Sequence, residues 1–298
     1  MNIAVGQLDR QTYLGGSDIA AILGLSPYRT PLDVYLDKVE GKQPEDPAKA
    51  KIFKRGTRLE PYILDMLVEE TGLELVKRGE RYRDNEHDFL AAEIDAEAAT
   101  GENIEAKSVN QFGAKEWGTE WTDEIPVHYT AQAMHGMMIT GAPCTVFPVL
   151  IGIDDFRVYK VNRDEETIAG IRAKEVEFWQ RIQSKEAPEA TTVGDIERLF
   201  ARDHGSVVQA TDEIVEAYKA LKDLKKRIKL LEDDADDYAK QIKLFMREHQ
   251  ILKFGAETLL TWKTQDTTRL VPDLFRAAHP RIARKFERTT TSRVLRLK

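Results

Sequence analysis

Two acidic residues and a lysine, closely spaced, form the part of this sequence best suited to chemistry. Asp95 precedes the turn signal Thr100-Gly101-Glu102-Asn103, and Glu105 and Lys107 follow it. We predict two strands joined by a short loop, with Asp95 ending the first strand and the other two residues on the second. Side chains two apart on a strand share a face, so Glu105 and Lys107 point the same way. A twisted hairpin can bring Asp95 beside them.

This arrangement favours metal-assisted hydrolysis. Two carboxylates around one point make a site for a hard divalent cation such as Mg²⁺. A lysine beside that cation can orient a water molecule or help it to lose a proton. A metal ion with an activated water is the apparatus that cuts a phosphodiester. The alternative is that Glu105 and Lys107 form an ordinary solvated ion pair.

Two predicted helices could bring further residues to this site. The helix predicted over Lys49–Thr71 contains Pro61, which favours a kink near Glu60. That kink could offer the Glu60 carboxylate to a neighbouring site, or Glu60 could be a surface residue.

The second of these helices is predicted over Pro126–Gly141. It places Tyr129, Gln132 and His135 on one broad face. His135 is a weak candidate as a metal ligand, because no second histidine is placed near it.

A possible anion site lies near the N-terminus. Gly15 and Gly16 precede Ser17 and Asp18, which lead into a short apolar helix predicted over Ile19–Leu23. Glycines let a backbone or a phosphate come close, and the free N–H groups of a helix start bind anions. The alternative is an ordinary helix capped by Ser17 or Asp18.

Composition limits the class of protein. The chain has 298 residues, 42% of them hydrophobic and 32% charged, a formal net charge of −7 and one cysteine. A single cysteine excludes an internal disulfide and a four-cysteine metal or iron–sulfur site. No apolar run is long enough to span a bilayer and no signal-peptide pattern is present, so we expect a cytoplasmic protein without a membrane partner. The negative net charge does not exclude a local DNA-binding surface such as the basic segment Arg281–Lys298.

The pattern of elements indicates an α/β fold followed by a helical extension. Strands are predicted over Glu74–Arg83, Phe89–Ile94, Asn103–Ser108, Cys144–Ile151 and Asp155–Val161, and helices over Pro31–Val39 and Asp164–Lys185. Beyond a linker, a short helix is predicted over Asp195–Arg202. The segment Asp212–His249 has no Gly or Pro and a heptad-like apolar seam, which predicts one long interaction helix needing a partner surface. After it we expect a hairpin over Ile251–Trp262, a helix over Pro272–Phe286 and a strand over Thr289–Lys298.

Four motifs in order give a resemblance to a known family. They are Gly15-Gly16-Ser17-Asp18-Ile19-Ala20, Arg55-Gly56-Thr57-Arg58-Leu59-Glu60-Pro61, Asp95 with Glu105-Ala106-Lys107, and Tyr129-Thr130-Ala131-Gln132. The stretch from Arg10 to Asn162 resembles the lambda exonuclease and YqaJ-like phage recombination nucleases, within the PD-(D/E)xK superfamily. The resemblance implies a nuclease core with a mixed central sheet flanked by helices, and a C-terminal long-helix extension. We expect a nuclease domain over 1–186, a linker with a short helix over 187–211 and an extension over 212–298.

The same resemblance implies residue roles. Asp95, Glu105 and the Ala106 carbonyl would hold Mg²⁺, with Mn²⁺ as a substitute. Glu60 would assist through water, and Lys107 would orient the attacking water. Gln132 would support Lys107 or the phosphate, with Tyr129 as a weaker candidate, and Arg10 and Ser17 would hold a 5′-terminal phosphate. One departure is that Glu93-Ile94 stands where the family usually has Ser-Pro, so Glu93 either alters the metal site or faces away.

The implied activity is 5′–3′ digestion of linear duplex DNA, which leaves 3′ single strands for a single-strand annealing protein. It further implies a homo-oligomer of phage or prophage origin in a bacterial host. Two alternatives stay open: an endonuclease on the same core, and a non-enzymatic DNA-binding or assembly protein.

Overall fold

The computed structural model describes residues 10–41, 47–289 and 291–298. It divides into two compact units, Met1–Leu199 and Phe200–Lys298. In the first unit the helices are α1 (Gly16–Ile22), α2 (Pro31–Val39), α3 (Pro47–Thr71), α4 (Val127–Thr140), α5 (Glu165–Ser184) and α6 (Val193–Leu199). The strands are β1 (Leu75–Arg83), β2 (Ala91–Ala98), β3 (Asn103–Ile104), β4 (Lys107–Val109), β5 (Cys144–Ile151) and β6 (Asp155–Asn162). Short 3₁₀ helices cover Arg10–Thr12 and Gln111–Glu116.

One mixed sheet organises this unit. β1, β2 and β3 pair antiparallel, β3 and β4 both run parallel to β5, and β6 pairs antiparallel with β5. Ile104 lies opposite Val146 and Lys107 opposite Val149, so β3 and β4 keep the same offset along β5. They are therefore two parts of one interrupted strand.

The central position of β5 follows from its sequence. All eight of its residues are buried, as expected for a continuous apolar run in the middle of a sheet. Its alternate side chains enter two separate clusters. Phe147 and Val149 pack with residues of α1, α2, α4 and α5, whereas Val146 packs with Leu64 and Leu67 of α3. The predicted fold class, a mixed central sheet flanked by helices, is confirmed.

Local signals explain where the helices start and stop. Thr30 and Asp33 form a capping box at the start of α2, with Pro31 at its first position. Asp164 caps α5 by accepting from the Thr167 N–H group. α4 ends at Gly141, whose φ of 78° is left-handed and suits glycine.

The hairpin prediction was partly wrong. Asp95 lies in the middle of β2 rather than at its end, because β2 continues to Ala98 against β1. The second predicted strand is split at Glu105 and Ala106 into β3 and β4. α3 continues through Pro61 as one helix of 25 residues. Its residues Leu64 and Leu67, which follow Pro61, pack against the sheet and stabilise this part of the helix.

The short helix after the predicted linker belongs to the first unit. The Asp195 side chain of α6 is buried and accepts from Thr30 Oγ1 at 2.8 Å, and Arg198 pairs with Asp33. The predicted short helix is therefore found slightly earlier, at Val193–Leu199. The domain limits 1–186, 187–211 and 212–298 stay a prediction.

The second unit contains α7 (Asp212–Met246), the hairpin of β7 (Ile251–Phe254) and β8 (Glu257–Thr261), and the helices α8 (Pro272–Ala278) and α9 (Pro280–Phe286). The single helix predicted over Pro272–Phe286 was wrong. Pro280 lacks an N–H group and disfavours a helical residue before it, and His279 accordingly has φ −132° and ψ 58°. The strand predicted over Thr289–Lys298 was also wrong, because its described residues 289 and 291–298 join no sheet. Within the described residues, no helix is long and apolar enough to cross a membrane.

Candidate active site

The candidate site lies where the strand is interrupted between β3 and β4. Ala96 lies opposite Ile104 and Glu97 opposite Asn103, so the next pair along the two strands is Asp95 and Glu105. At this point the Ala106 N–H group donates to the side chain of Asp95, at 2.8 Å from Oδ2, instead of to a strand carbonyl. The two carboxylates predicted to converge therefore lie just beyond the last paired residues, close enough for Glu105 to act on Asp95 electrostatically.

Lys107 connects this pair to α4. Its Nζ atom lies 2.6 Å from Glu105 Oε1 and 3.4 Å from Gln132 Oε1. The Gln132 amide also donates to Glu105 Oε1. The ring of Tyr129, one turn earlier on α4, lies with its centroid 4.9 Å from Lys107 Nζ. The structure therefore brings together Glu105, Lys107, Gln132 and Tyr129 from two motifs.

Negative charge is in excess at this point. Burial, reinforced by the Glu105 carboxylate and by Glu60, raises the pKa of Asp95 to about 8, although Lys107 and the Ala106 N–H group oppose the change. Burial and the carboxylates of Glu105 and Glu93 also raise the pKa of Glu60. Burial alone would lower the pKa of Lys107, but Glu105 and Asp95 outweigh it, so the pKa of Lys107 is raised. One ammonium therefore faces several carboxylates.

The donor atoms suit a hard cation. Asp95, Glu105 and the Ala106 carbonyl offer only oxygen, the ligand type that Mg²⁺ prefers. Among the residues that the structure describes, no group of three or more His, Cys, Asp or Glu side chains is assembled to hold a metal ion. A cation here would therefore rest on two carboxylates and a carbonyl, with water completing its shell. The raised pKa of Asp95 shows that a positive charge is electrostatically favoured.

The N-terminal motif forms a second cluster. Arg10 Nη2 donates to Ser17 Oγ at 2.9 Å, so these two predicted phosphate contacts lie together. The capping alternative was wrong for Ser17, because Gly15 is the N-cap residue and Ser17 follows it inside α1. Asp18 does cap the helix: it is buried at the third helical position and accepts from the Gly15 N–H group at 3.2 Å, as in a capping box.

This N-terminal cluster touches the helix that carries Gln132. A Cβ atom placed on Gly16 would lie 3.2 Å from Gln132 Cγ, tighter than ordinary contacts allow. Glycine at this position therefore lets α1 approach the side chain and the backbone carbonyl of Gln132. Through Gln132, the Arg10–Ser17 pair is linked to Glu105.

His135 does not enter the site, whereas Glu93 lies close enough to act on Glu60 electrostatically. His135 is fully buried, with Nδ1 2.6 Å from Glu175 Oε1 and Nε2 2.9 Å from the Ala91 carbonyl. Both ring nitrogens are thus occupied, which excludes His135 as a metal ligand. Glu93, which replaces the family's usual serine, is about half exposed and pairs with Arg81 at 3.1 Å.

A buried ion pair at the N-terminal motif was missed from the sequence. Lys38 of α2 donates to Asp18 Oδ2 at 2.9 Å and to the carbonyls of Arg10 at 2.7 Å and Tyr13 at 2.6 Å. Lys38 stands near the end of an amphipathic helix, where a lysine usually faces water, so no local signal could have identified it.

Comparison with known proteins agrees with the motifs. Residues 7–143 match the family model of the YqaJ-like viral recombinase domain. The predicted resemblance to the YqaJ-like family is confirmed. The matched stretch contains Asp95, Glu105, Lys107 and Gln132. The uncharacterized protein YqaJ of Bacillus subtilis (strain 168) is 26% identical over 296 residues, covering 95% of this chain and 90% of the relative. Similarity to this YqaJ protein therefore extends through the second unit.

Two solved structures of exonucleases are similar to part of this chain. An alkaline exonuclease from Laribacter hongkongensis has a TM-score of 0.49 and 18% identity, covering 64% of this chain and 95% of its own. A phage related exonuclease from Haemophilus somnus 129PT has a TM-score of 0.45 and 16% identity, covering 58% of this chain and 96% of its own.

Proposed function

We propose that this chain is a metal-dependent DNA nuclease that digests linear duplex DNA in the 5′ to 3′ direction. The observation that carries the proposal is the cluster in which the Ala106 N–H group donates to Asp95 and the Lys107 ammonium lies 2.6 Å from Glu105. An ordinary solvated ion pair does not explain this arrangement, because Lys107 and Glu105 are largely buried and the Asp95 carboxylate lies near Glu105. The similarity of residues 7–143 to a viral recombinase domain supports DNA as the substrate.

Asp95, Glu105 and the Ala106 carbonyl would hold Mg²⁺, or Mn²⁺ in its place, and Glu60, whose pKa the Glu105 carboxylate helps to raise, would assist through water. When bound, the ion supplies Lewis-acid stabilisation of the phosphate charge. In the metal-free protein the carboxylates of Glu105 and Asp95 raise the pKa of Lys107. Lys107 would act as a donor that orients the attacking water or a phosphate oxygen.

Gln132 fixes the orientation of Lys107. Its amide oxygen accepts from Lys107 Nζ while its amide nitrogen donates to Glu105, so one side chain sets two members of the site. Tyr129 adds a ring face that favours the ammonium. Such positioning lowers the activation barrier of phosphodiester cleavage when the scissile phosphate is held close to these groups.

The Arg10–Ser17 pair would hold the 5′-terminal phosphate. A guanidinium and a hydroxyl 2.9 Å apart offer several donors to one phosphate, and a terminal phosphate carries more charge than an internal one. Digestion from this end leaves a 3′ single strand, which an annealing protein would take up in phage recombination. α7 would join copies of the chain into a homo-oligomer.

The decisive experiment is digestion of end-labelled linear duplex, with and without Mg²⁺, beside a covalently closed circle. We expect Mg²⁺-dependent release of nucleotides from the 5′ end and an intact circle. Cleavage of the circle would identify an endonuclease. Binding of both DNAs without any cleavage would indicate a non-enzymatic DNA-binding protein.

A further inference from the structure

An open pocket lies beyond the end of β4, next to the proposed catalytic lysine. Its volume is about 300 Å³, within the range typical of small organic ligands. Its walls include Val109, Phe112, Gly113, Trp117, His128 and Tyr129. Tyr129 is shared with the catalytic site, because its ring centroid lies 4.9 Å from Lys107 Nζ. Val109 follows Lys107 by two residues on β4 and therefore shares its face.

The walls are built by specific local contacts. Asn110 Oδ1 accepts from the N–H groups of Phe112 at 2.9 Å and Gly113 at 3.1 Å, which fixes the start of the 3₁₀ helix. A Cβ atom on Gly113 would lie 2.7 Å from Val109 Cγ1, so a larger residue would have to displace this wall. Trp117 is buried, and its ring centroid lies 5.5 Å from that of Tyr129. The floor of the pocket is thus packed aromatic surface.

The rim of the pocket is unusual for a protein surface. Phe112 is 78% exposed and Tyr28 is 72% exposed, although both are large and apolar. Lys115 adds a positive charge and Glu116 a negative one to the lining, and no ion pair of Lys115 is found among the described residues. His128 Nε2 has no hydrogen-bond partner among the described residues. Apolar faces, a free cation and an unpaired polar atom at one place indicate a bound partner with a flat ring and a phosphate.

We propose that this pocket binds an unpaired nucleobase of the DNA strand whose phosphate lies at Lys107. This inference rests on the proposed function, since it takes DNA as the substrate. Bases of every kind stack on aromatic rings, so an aromatic pocket holds a base without choosing a sequence, as digestion along any DNA requires. A base must leave the duplex stack to enter it. Lys115 then meets a phosphate of the same strand at the rim.

Fluorescence quenching of 2-aminopurine tests the pocket directly. Full-length protein is mixed, in EDTA to prevent cutting, with 5′-phosphorylated duplexes carrying 2-aminopurine at the first, second or third nucleotide. We expect protein-dependent quenching at one of these positions. Phe112→Ala should abolish the quenching and weaken binding of a single-stranded oligonucleotide by about five-fold or more, the loss of one stacked base. Phe112→Tyr should retain both. Tyr62→Ala, which removes another exposed aromatic side chain, is the matched control.

The outcomes separate the pocket from the nuclease. Quenching that is the same at every position, or that survives Phe112→Ala, overturns the pocket. Mg²⁺-dependent digestion measured in parallel on unlabelled duplex tests the enzyme itself. A protein that digests DNA but shows no Phe112-dependent quenching retains the proposed function and loses the pocket. A protein that shows this quenching but never digests DNA retains the pocket as a base-binding site and loses the nuclease.

Discussion

Lys107 contacts three partners, two of them through hydrogen bonds and one through a ring face. We expect Lys107→Ala to lower the rate of duplex digestion by about 10²–10³-fold, the usual cost of removing one preorganised donor from a reacting centre. The measurement is release of labelled nucleotide in Mg²⁺, with circular dichroism to confirm folding. Lys174→Ala, at an exposed lysine of α5, should leave the rate unchanged. Full activity of folded Lys107→Ala would exclude the mechanism.

Asp95 makes the stability of the metal-free protein depend on pH. Its pKa is raised to about 8 in the folded protein, against 3.8 for an ordinary aspartate. Between these values the folded protein holds a proton that the unfolded chain has released. The free energy of unfolding therefore falls as pH rises through this window. In EDTA, the melting temperature should decrease from pH 5 to pH 8, and Asp95→Asn should flatten the decrease. An equal slope in both proteins would show that Asp95 is not buried among carboxylates.

Arg10 bears on the choice of DNA end. If its guanidinium and the Ser17 hydroxyl hold a terminal phosphate, 5′-phosphorylated duplex should be digested faster than 5′-hydroxyl duplex. Arg10→Ala should erase most of this difference, because one charge-assisted contact is worth about 1.5–3 kcal/mol, or roughly ten-fold or more in rate. Metal-dependent cleavage should remain measurable. Equal rates on the two ends in the unmodified protein would remove the phosphate pocket from the mechanism.

At the scale of the elements, helices and central strands were predictable because their signals are local. Element boundaries are indicated by local residues, such as the Thr30–Asp33 capping box, Gly141 and the apolar run of β5. The interruption between β3 and β4 was not predictable. It depends on the hydrogen bond from the Ala106 N–H group to the Asp95 side chain, which forms only when the two strands lie side by side in the fold.

The members of the candidate site were easier to predict than their packing. Asp95, Glu105 and Lys107 were expected together from their spacing, and Gln132 from the family resemblance; the structure brings these four side chains into one cluster. The contact of Gly16 with the glutamine helix had no sequence signal, since its two partners lie far apart along the chain. The aromatic pocket beside Lys107 was also not predicted from the sequence.

Lys38 ties the N-terminal segment to α2. Its ammonium lies 2.9 Å from Asp18 Oδ2, and both side chains are only 4% exposed. Lys38→Met should lower the free energy of unfolding by about 3 kcal/mol, because among the described residues it leaves the buried Asp18 carboxylate with a direct ion pair to Arg29 and a weaker attraction to Arg10. It should also reduce the preference for 5′-phosphorylated ends, since Lys38 holds the carbonyls of Arg10 and Tyr13. Urea unfolding followed by tryptophan fluorescence measures the first effect.

A double variant separates charge from packing at this pair. Asp18→Asn combined with Lys38→Met removes both buried charges, so it should recover part of the stability lost in Lys38→Met alone. No recovery would show that Lys38 acts through its contacts with the two carbonyls rather than through the ion pair.

At the scale of the whole molecule, the proposed chemistry lies entirely in the first unit. Asp95, Glu105, Lys107 and Gln132 all fall within Met1–Leu199. The second unit is nevertheless included in the similarity to the Bacillus subtilis protein, which covers 95% of this chain. Its 35-residue α7 carries no residue of the site, which favours a role in assembly rather than in catalysis.

α7 presents a row of apolar side chains to solvent in the single chain. Ile214, Leu224, Ile228, Leu231 and Tyr238 are between 50% and 67% exposed, and their spacing follows a heptad-like seam. Such a seam is stabilised by pairing with another helix, and we expect a second copy of α7 to supply it. Light scattering on the full-length protein should give a mass above that of one chain. Ile228→Glu should lower this mass, because it places a charge in the seam.

The control for this prediction lies on the same helix. Lys226→Glu also introduces a glutamate at an exposed position, but Lys226 stands about 160° around the helix from Ile228, at 100° per residue. It should leave the mass unchanged. A protein that is monomeric before any substitution, at concentrations well above those of the digestion assay, would show that α7 does not join copies of the chain. Digestion that is equally fast in Ile228→Glu and in the unmodified protein would show that assembly is separate from the catalytic site, as expected if Asp95, Glu105 and Lys107 act within one chain.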